Sequence, residues 1–305
     1  MAVQFVREDK GPAVIQSINS NQISDAYRDS ITIAYQFVGS TVPDVRFTLN
    51  GRAYDTPIMA GPIGLGDKNG GLIAYARGVE KGGGLFWSHY HDFEGWDQVL
   101  KAGIPAVRVI KPLRDMNRFS EEAKKDEERG AQGIAMDIDH GLTVYGELDE
   151  QQEPFGPKTI EDLRKISQAT KLPFYIKGII SVHDALMAQE AGAAGIVISG
   201  HNNRFPCAVP PLKMLPVIRK AMGKNMKLFV DGGLNTGYDV FKALALGADA
   251  VLCARTLASA FVKGGEDGLS MRIAELTAEL KGAMANTGSK DLQHINQNSL
   301  VLPFR

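Results

Sequence analysis

Eight short apolar runs recur between Pro57 and Cys253, with segments of helical periodicity between them. No other feature constrains the fold of this chain as strongly. The runs are 57–60, 84–87, 106–109, 133–136, 174–177, 195–198, 227–230 and 250–253. Amphipathic stretches such as 181–191 and 238–246 separate them, followed by Gly192 and Gly247, residues suited to a left-handed helix cap. Strand–helix units in series build a parallel sheet. Eight units over about 250 residues point to an α/β chain closed as a (β/α)8 TIM barrel rather than an open sheet.

Residues 1–55 precede the repeat as an N-terminal extension. Within it, 45–49 and 52–54 flank Asn50-Gly51, a favoured two-residue turn, so a hairpin is expected that plugs the bottom of the barrel. The barrel is expected over 56–265, and a long or broken helix with a tail over 266–305. No low-complexity linker interrupts the chain, so 1–305 reads as a single domain.

The chain carries 34 Lys and Arg against 35 Asp and Glu, a net charge of −1, which leaves no basic footprint for nucleic acid. The run Glu121–Arg129 mixes both signs, as a solvated helix face does. Cys207 and Cys253 have no metal-type spacing and read as reduced thiols. Met1–Glu8 lacks a basic head followed by a long apolar stretch. No run approaches the ~20 apolar residues of a membrane helix. A cytoplasmic protein without a membrane partner is expected.

A TIM barrel carries its reactive groups at the carboxyl ends of its strands. Those ends read Gly61-Pro62, Ser88-His89, Arg108, Asp137 with Asp139, Lys177, Ser199 with His201 and Arg204, Asp231-Gly232-Gly233, and Arg255. His201 and Arg204 share one short loop. A proton acceptor beside a carboxylate-matching fork suggests proton abstraction from an anionic substrate. Gly232 and Gly233 let backbone N–H groups approach an anion, and the loops after strands seven and eight are the common phosphate site of this fold. A tight turn and a surface ion pair are the plainer explanation of Gly232-Gly233 and Arg255; having both motifs in register favours phosphate.

The segments Phe174–Gly178, Val197–Arg204 and Asp231–Ala248, with Arg255, resemble the signature of the FMN-dependent 2-hydroxy-acid oxidases and dehydrogenases, the family of glycolate and lactate oxidases. The resemblance is strongest over 172–255 and traceable over 56–139. It implies an FMN enzyme in which His201 is the base that abstracts a proton as hydride passes to flavin N5. It also implies that Arg204 holds the substrate carboxylate, that Lys177 lies beside flavin N1 and the C2 carbonyl, and that Asp139 orients and stabilises the histidinium. Asp231, Gly232, Gly233, Asn235, Ala254 and Arg255 match ribityl and phosphate contacts. The backbone of Gly61, Pro62 and Ile63, together with Ser88 and Ser199, matches further flavin contacts. A homotetramer is the family expectation.

The chain departs from that pattern in several places. Asn202-Asn203 stands where two glycines are usual, and Asn235 where an arginine is usual. The active-site tyrosine after strand three falls at Ile110. Tyr27 and Tyr35 are loose counterparts of the N-terminal tyrosine. The lid after strand four shrinks to about 141–158 and has no substrate-binding arginine. Arg108 and Asp137 replace a glutamine and a threonine on neighbouring strands. An inward-facing ion pair beside the flavin is expected there, either tuning the cofactor or serving as a structural pair. His89 is expected to face the substrate. His89, His91 and His140 share one barrel end with an aspartate, but their spacing fixes no ligand set, so no metal is assigned. His183 and His294 read as structural or exposed. The expected reaction is oxidation of a 2-hydroxy acid or related alcohol. The alternatives are a flavin enzyme acting on a non-carboxylate substrate, a larger alcohol or sugar derivative or an isomerase-type reaction, and an FMN-binding protein without turnover.

Overall fold

The computed structural model describes residues 19–65, 68–89, 92–149 and 153–303. Met1–Glu8, His91 and part of the 141–158 loop therefore lie outside the described residues.

Helix α1 (Ser20–Ser30) opens the described chain, capped by the Asn19 side chain on the Asn21 N–H. Strand β1 (Thr32–Ile33) follows, then β2 (Phe47–Leu49) and β3 (Arg52–Tyr54). The latter two pair antiparallel around Asn50 and Gly51, whose φ values of 51° and 79° suit a type I′ turn. The repeat then runs β4 (Ile58–Ala60), α2 (Gly71–Lys81), β5 (Phe86–Ser88), α3 (Phe93–Lys101), β6 (Ala106–Ile110), α4 (Met116–Glu128) and β7 (Gly133–Asp137). It continues with α5 (Ile160–Ala169), β8 (Phe174–Ile179), α6 (Val182–Glu190), β9 (Gly195–Ile198), α7 (Pro211–Met222), β10 (Lys227–Asp231), α8 (Gly237–Ala245) and β11 (Ala250–Cys253). Strands β4 to β11 are parallel neighbours and close, β11 pairing β4, into an eight-stranded barrel.

Side chains with oxygen acceptors start the helices where the sequence supplies them. Thr159 and Thr236 each form a reciprocal capping box, with Asp162 and Asp239 respectively. Helix α9 (Arg255–Ala285) is broken at Gly264-Gly265, where Gly265 takes φ 58° and ψ −148°, a backbone open essentially to glycine. The tail returns as β12 (Leu300–Val301), paired antiparallel with β1. Cys207 is exposed and Cys253 buried, both free thiols. No helix of the described residues is long and apolar enough to cross a membrane.

Alternation along the strands splits the core in two. Even-numbered positions such as Phe86, Ala106, Ile134, Phe174 and Ile196 face the helices, whereas Trp87, Val107, Ala135, Tyr175, Val197 and Phe229 fill the barrel. The rings of Trp87, Tyr175 and Phe229 contact one another with centroids 5.3, 5.6 and 5.9 Å apart. Each large side chain buried this way contributes about 1.5–3 kcal/mol. Phe47, Leu49 and Tyr54 of the β2–β3 hairpin join that interior cluster, and Asn50 bonds the Tyr175 hydroxyl at 2.8 Å. The hairpin thus covers the amino end of the barrel.

The same alternation corrects one expectation. Ser88 and Arg108 pair in register with each other, and Arg108 with Ile134, all on the helix-facing side. Arg108 does not meet Asp137. Its guanidinium lies 3.3 Å from both Glu122 and Asp126 of α4, with Phe93 of α3 over its face at 5.0 Å. The inward series on this strand is Val107, Val109 and then Lys111. Lys111 reaches Asp137 at 2.8 Å. Ile110, the position matched to the family tyrosine, is buried among the helices.

Candidate active site

Continuing each inward series one step past its apolar residue reaches the polar floor of the carboxyl end: Lys111, Asp137, Lys177, Ser199 and Asp231. Asp137 is buried, with Lys111 Nζ at 2.8 Å and Lys177 Nζ at 3.1 Å. Burial opposes its charge, but Lys111, Lys177 and the two nearby histidines outweigh it and hold the carboxyl well below the usual range. Lys177 is its counterpart. Burial disfavours the ammonium, and Asp137, Asp231 and Asp139 more than offset that, raising its pKa. Lys111 goes the other way, because burial prevails over Asp137.

His201 follows β9 in the loop 199–204, where it, Asn202 and Asn203 take left-handed φ values of 45°, 54° and 62°. Asparagine tolerates this conformation better than most residues. Here it is also anchored. Asn202 Oδ1 accepts from Asn21 and from Arg255 at 3.0 Å each, and Asn203 Oδ1 accepts from the Ser20 N–H at 2.7 Å. The two residues that replace the family glycines thus tie the loop to α1.

The loop presents His201 to Asp139, whose oxygens lie 2.8 and 3.0 Å from Nδ1. An ionised carboxylate only accepts, so Nδ1 donates to it, which in the neutral imidazole leaves the lone pair on Nε2. Ser199 Oγ donates to Asp231 at 2.6 Å and accepts from the His201 N–H at 3.1 Å. His140 packs its ring against His201 with centroids 4.7 Å apart. Burial, then the charges of Lys111 and His201, depress the pKa of His140 far below the ordinary histidine value.

Arg204 is fully engaged on one side. Nε donates to the Asp139 carbonyl at 2.7 Å, and Nη2 donates to the Leu142 carbonyl at 2.9 Å and to Asp149 at 2.6 Å. Asp149 also lies 3.2 Å from His140 Nδ1.

A cavity of about 760 Å³ opens over this floor. Its wall includes Pro62, Ile63, Lys177, His201, Arg204, Asp231, Gly232, Gly233, Asn235, Ala254 and Arg255 among the expected site residues. Asp137, Asp139 and Ser199 support that wall from behind through the contacts above. Gly61 packs on Ala254, where an added Cβ would come within 3.3 Å of the Ala254 Cβ. Arg108 and Ser88 face the helices, and His89, Tyr27 and Tyr35 do not belong to the wall; Tyr35 stacks on Phe37. His183 is exposed and His294 pairs with Asp291. Asp137, His140 and His201 bring ligand-type atoms within 4.8 Å of one another, but two ammonium groups already neutralise Asp137.

Sequence reasoning missed Lys111 and Asp149 and left His140 without a role. Counting alternation from Val107 and Val109 would have found Lys111. Asp149 sits in the polar loop run Gly146-Glu-Leu-Asp149 and carries no local signal.

The cavity suits a flavin mononucleotide. Its volume falls within the ~300–1,000 Å³ of cofactor and ligand sites. Gly232 and Gly233, at φ 114° and 74°, lie where a backbone can approach a phosphate, and Arg255 heads α9 beside them. A Cβ at Gly233 would come within 2.7 Å of Asp25 and 2.9 Å of Arg28 in α1. Arg255 is exposed, whereas Lys177 supplies a buried cation in the same cavity, and Pro62, Ile63 and Leu252 supply apolar wall.

The sequence profile of the FMN-dependent dehydrogenases matches residues 148–302, more than half of the 305-residue chain. The chain belongs to the FMN-dependent dehydrogenase family. It is 42% identical over 142 residues to L-lactate oxidase of Alicycliphilus denitrificans, a match covering 46% of this chain and 39% of that protein. It is 28% identical over 297 residues to glycolate oxidase 3 of Arabidopsis thaliana, covering 84% and 80%. The crystal structure of a mandelate oxidase superposes with a TM-score of 0.85 at 25% identity over 94% of this chain and 90% of that one. In the L-lactate oxidase match and that to 4-hydroxymandelate oxidase of Amycolatopsis orientalis, this chain spans about two-fifths of the relative's length, 39% and 42%.

Proposed function

We propose that this protein is an FMN-dependent oxidoreductase that oxidises the hydroxyl-bearing carbon of a 2-hydroxy acid or a related alcohol. The observation that carries this reading is the Asp139–His201 pair on the cavity wall, 2.8 Å apart, which reserves Nε2 for a substrate proton. FMN, when bound, supplies the two-electron acceptor.

The residues divide the remaining work. His201 takes the proton at Nε2, and the Asp139 carboxylate stabilises the imidazolium that forms. Lys177 holds a fixed positive charge in a water-poor floor, where it stabilises developing negative charge more than it would in water. Asp137 and Lys111 fix that ammonium in place. Gly232, Gly233 and Arg255 hold the phosphate, with Asn235, Ala254 and Asp231 along the ribityl chain and Pro62 and Ile63 against the ring. Arg204 borders the substrate space, held there by the Asp139 and Leu142 carbonyls and by Asp149.

The family resemblance adds a homotetramer acting on small molecules, and light scattering of the purified protein tests that assembly; the cytoplasmic location rests on the sequence pattern alone. For the chemistry, the protein should purify yellow with FMN and bleach anaerobically with a hydroxy acid or alcohol from a panel. Failure to bind FMN, or bleaching by none of the panel, refutes the reading.

A further inference from the structure

Resting on that reading, we propose that Asp149 determines specificity by standing in for a substrate carboxylate on Arg204, so that the substrate is a neutral 2-hydroxy compound such as an amide, an ester or a vicinal alcohol. An arginine grips a carboxylate with two parallel N–H groups. Both available forks, Nε with Nη2 and Nη1 with Nη2, require Nη2. Here both hydrogens of Nη2 are committed, one to the Leu142 carbonyl at 2.9 Å and one to Asp149 at 2.6 Å. The single Nε hydrogen goes to the Asp139 carbonyl. No bidentate grip is left for an incoming acid.

Charge points the same way. Arg204 already has two carboxylates near it, Asp149 at 2.6 Å and Asp139 at 4.0 Å. Across the floor, Lys111, Lys177 and Arg204 face Asp137, Asp139, Asp149 and Asp231, so a substrate carboxylate would add a fifth anion to three cations. A neutral hydroxyl or amide adds no charge and can donate to Asp149.

Asp149 is held in this place by the fold. It is buried, and it takes a second bond from His140 Nδ1 at 3.2 Å. Its loop is a short turn in which Leu142 pairs with Leu148 and the Thr143 N–H bonds the Glu147 carbonyl at 2.7 Å. The base of the turn is pinned at Gly141, where a Cβ would come within 2.8 Å of the Pro157 backbone.

The test compares lactate with lactamide as reductants of the FMN-loaded protein, and measures oxalate binding by calorimetry, for the unaltered chain, Asp149→Asn and Asp149→Ser. The second variant covers a failure of the first to fold. Expected are a preference for lactamide in the unaltered chain and a shift of the acid-to-amide ratio toward lactate by about tenfold or more in the variants, the scale of one like-charge contact in a partly solvated site. Oxalate should bind the variants tighter by a similar factor. A preference for lactate in the unaltered chain, or an unchanged ratio and unchanged oxalate affinity, overturns the proposal. If neither reductant bleaches any form, the oxidoreductase reading fails instead, and oxalate binding still decides for or against Asp149.

Discussion

Asp139 faces His201 with both side-chain oxygens, at 2.8 and 3.0 Å from Nδ1, while its carbonyl accepts from Nε of Arg204 at 2.7 Å. One residue thereby fixes the tautomer of the base and the orientation of the arginine beside it. Asp139→Asn keeps the shape but replaces an obligate acceptor with a group that can also donate, so the imidazolium loses its support. Anaerobic flavin reduction should slow by about 10²-fold or more, with the bound-flavin spectrum retained.

Arg108 is assigned to the helix layer. Arg108→Met removes the charged partner of Asp126, whose burial already raises its pKa, and leaves it the Trp96 indole N–H at 2.8 Å, while Glu122 keeps Arg118 at 3.2 Å. Removing one partner of a buried ion pair costs about 3–5 kcal/mol. Denaturant unfolding should register that loss while the FMN dissociation constant stays within error. A weakened FMN affinity without loss of stability would return Arg108 to the cofactor.

Arg255→Met removes a cation from the predicted phosphate end of the cavity. A hydrogen bond to a charged group contributes about 1.5–3 kcal/mol, so FMN affinity should fall roughly ten- to a hundredfold by fluorescence titration. Riboflavin, which lacks the phosphate, should bind the variant and the unaltered chain equally.

Stability should fall below neutral pH because of His140. Its folded pKa is depressed, first by burial, while the unfolded chain takes up a proton near 6.5. Below that pH the unfolded state binds more protons, so this contribution is whole above about pH 7 and declines as the pH falls. The slope reaches at most about 1.4 kcal/mol per pH unit. Asp137, also depressed, adds stability that is present above about pH 4 and is lost as the pH falls through its lower folded value, so the His140 decline acts before that of Asp137 and the two overlap below about pH 4. Thermal melts of His140→Gln should be flatter than those of the unaltered chain between pH 6.5 and 5.

The barrel was legible in the sequence because eight apolar runs with helical spacers admit few other closures, and the hairpin because Asn-Gly demands two positive φ values. His201, Lys177, Asp231 and Gly232-Gly233 were legible because they sit at strand ends beside recognisable motifs. Arg108 was misread for a specific reason. A strand buried on both faces shows no polar alternation, so nothing local says which face a lone charge takes. Counting outward from Val107 and Val109 puts Lys111, not Arg108, against Asp137. Asp149 was illegible because its role arises from a turn that folds back on Arg204, 55 residues away in sequence. The asparagines at 202 and 203 read as departures until α1 supplied their partners.

The central claim is that His201 accepts the substrate proton, and stopped-flow anaerobic reduction of FMN-loaded His201→Asn tests it most directly. Flavin binding should persist, and the rate of reduction should drop by about 10²–10⁴-fold, the span of a general base. Reduction at the unaltered rate would contradict the account and remove His201 from the reaction.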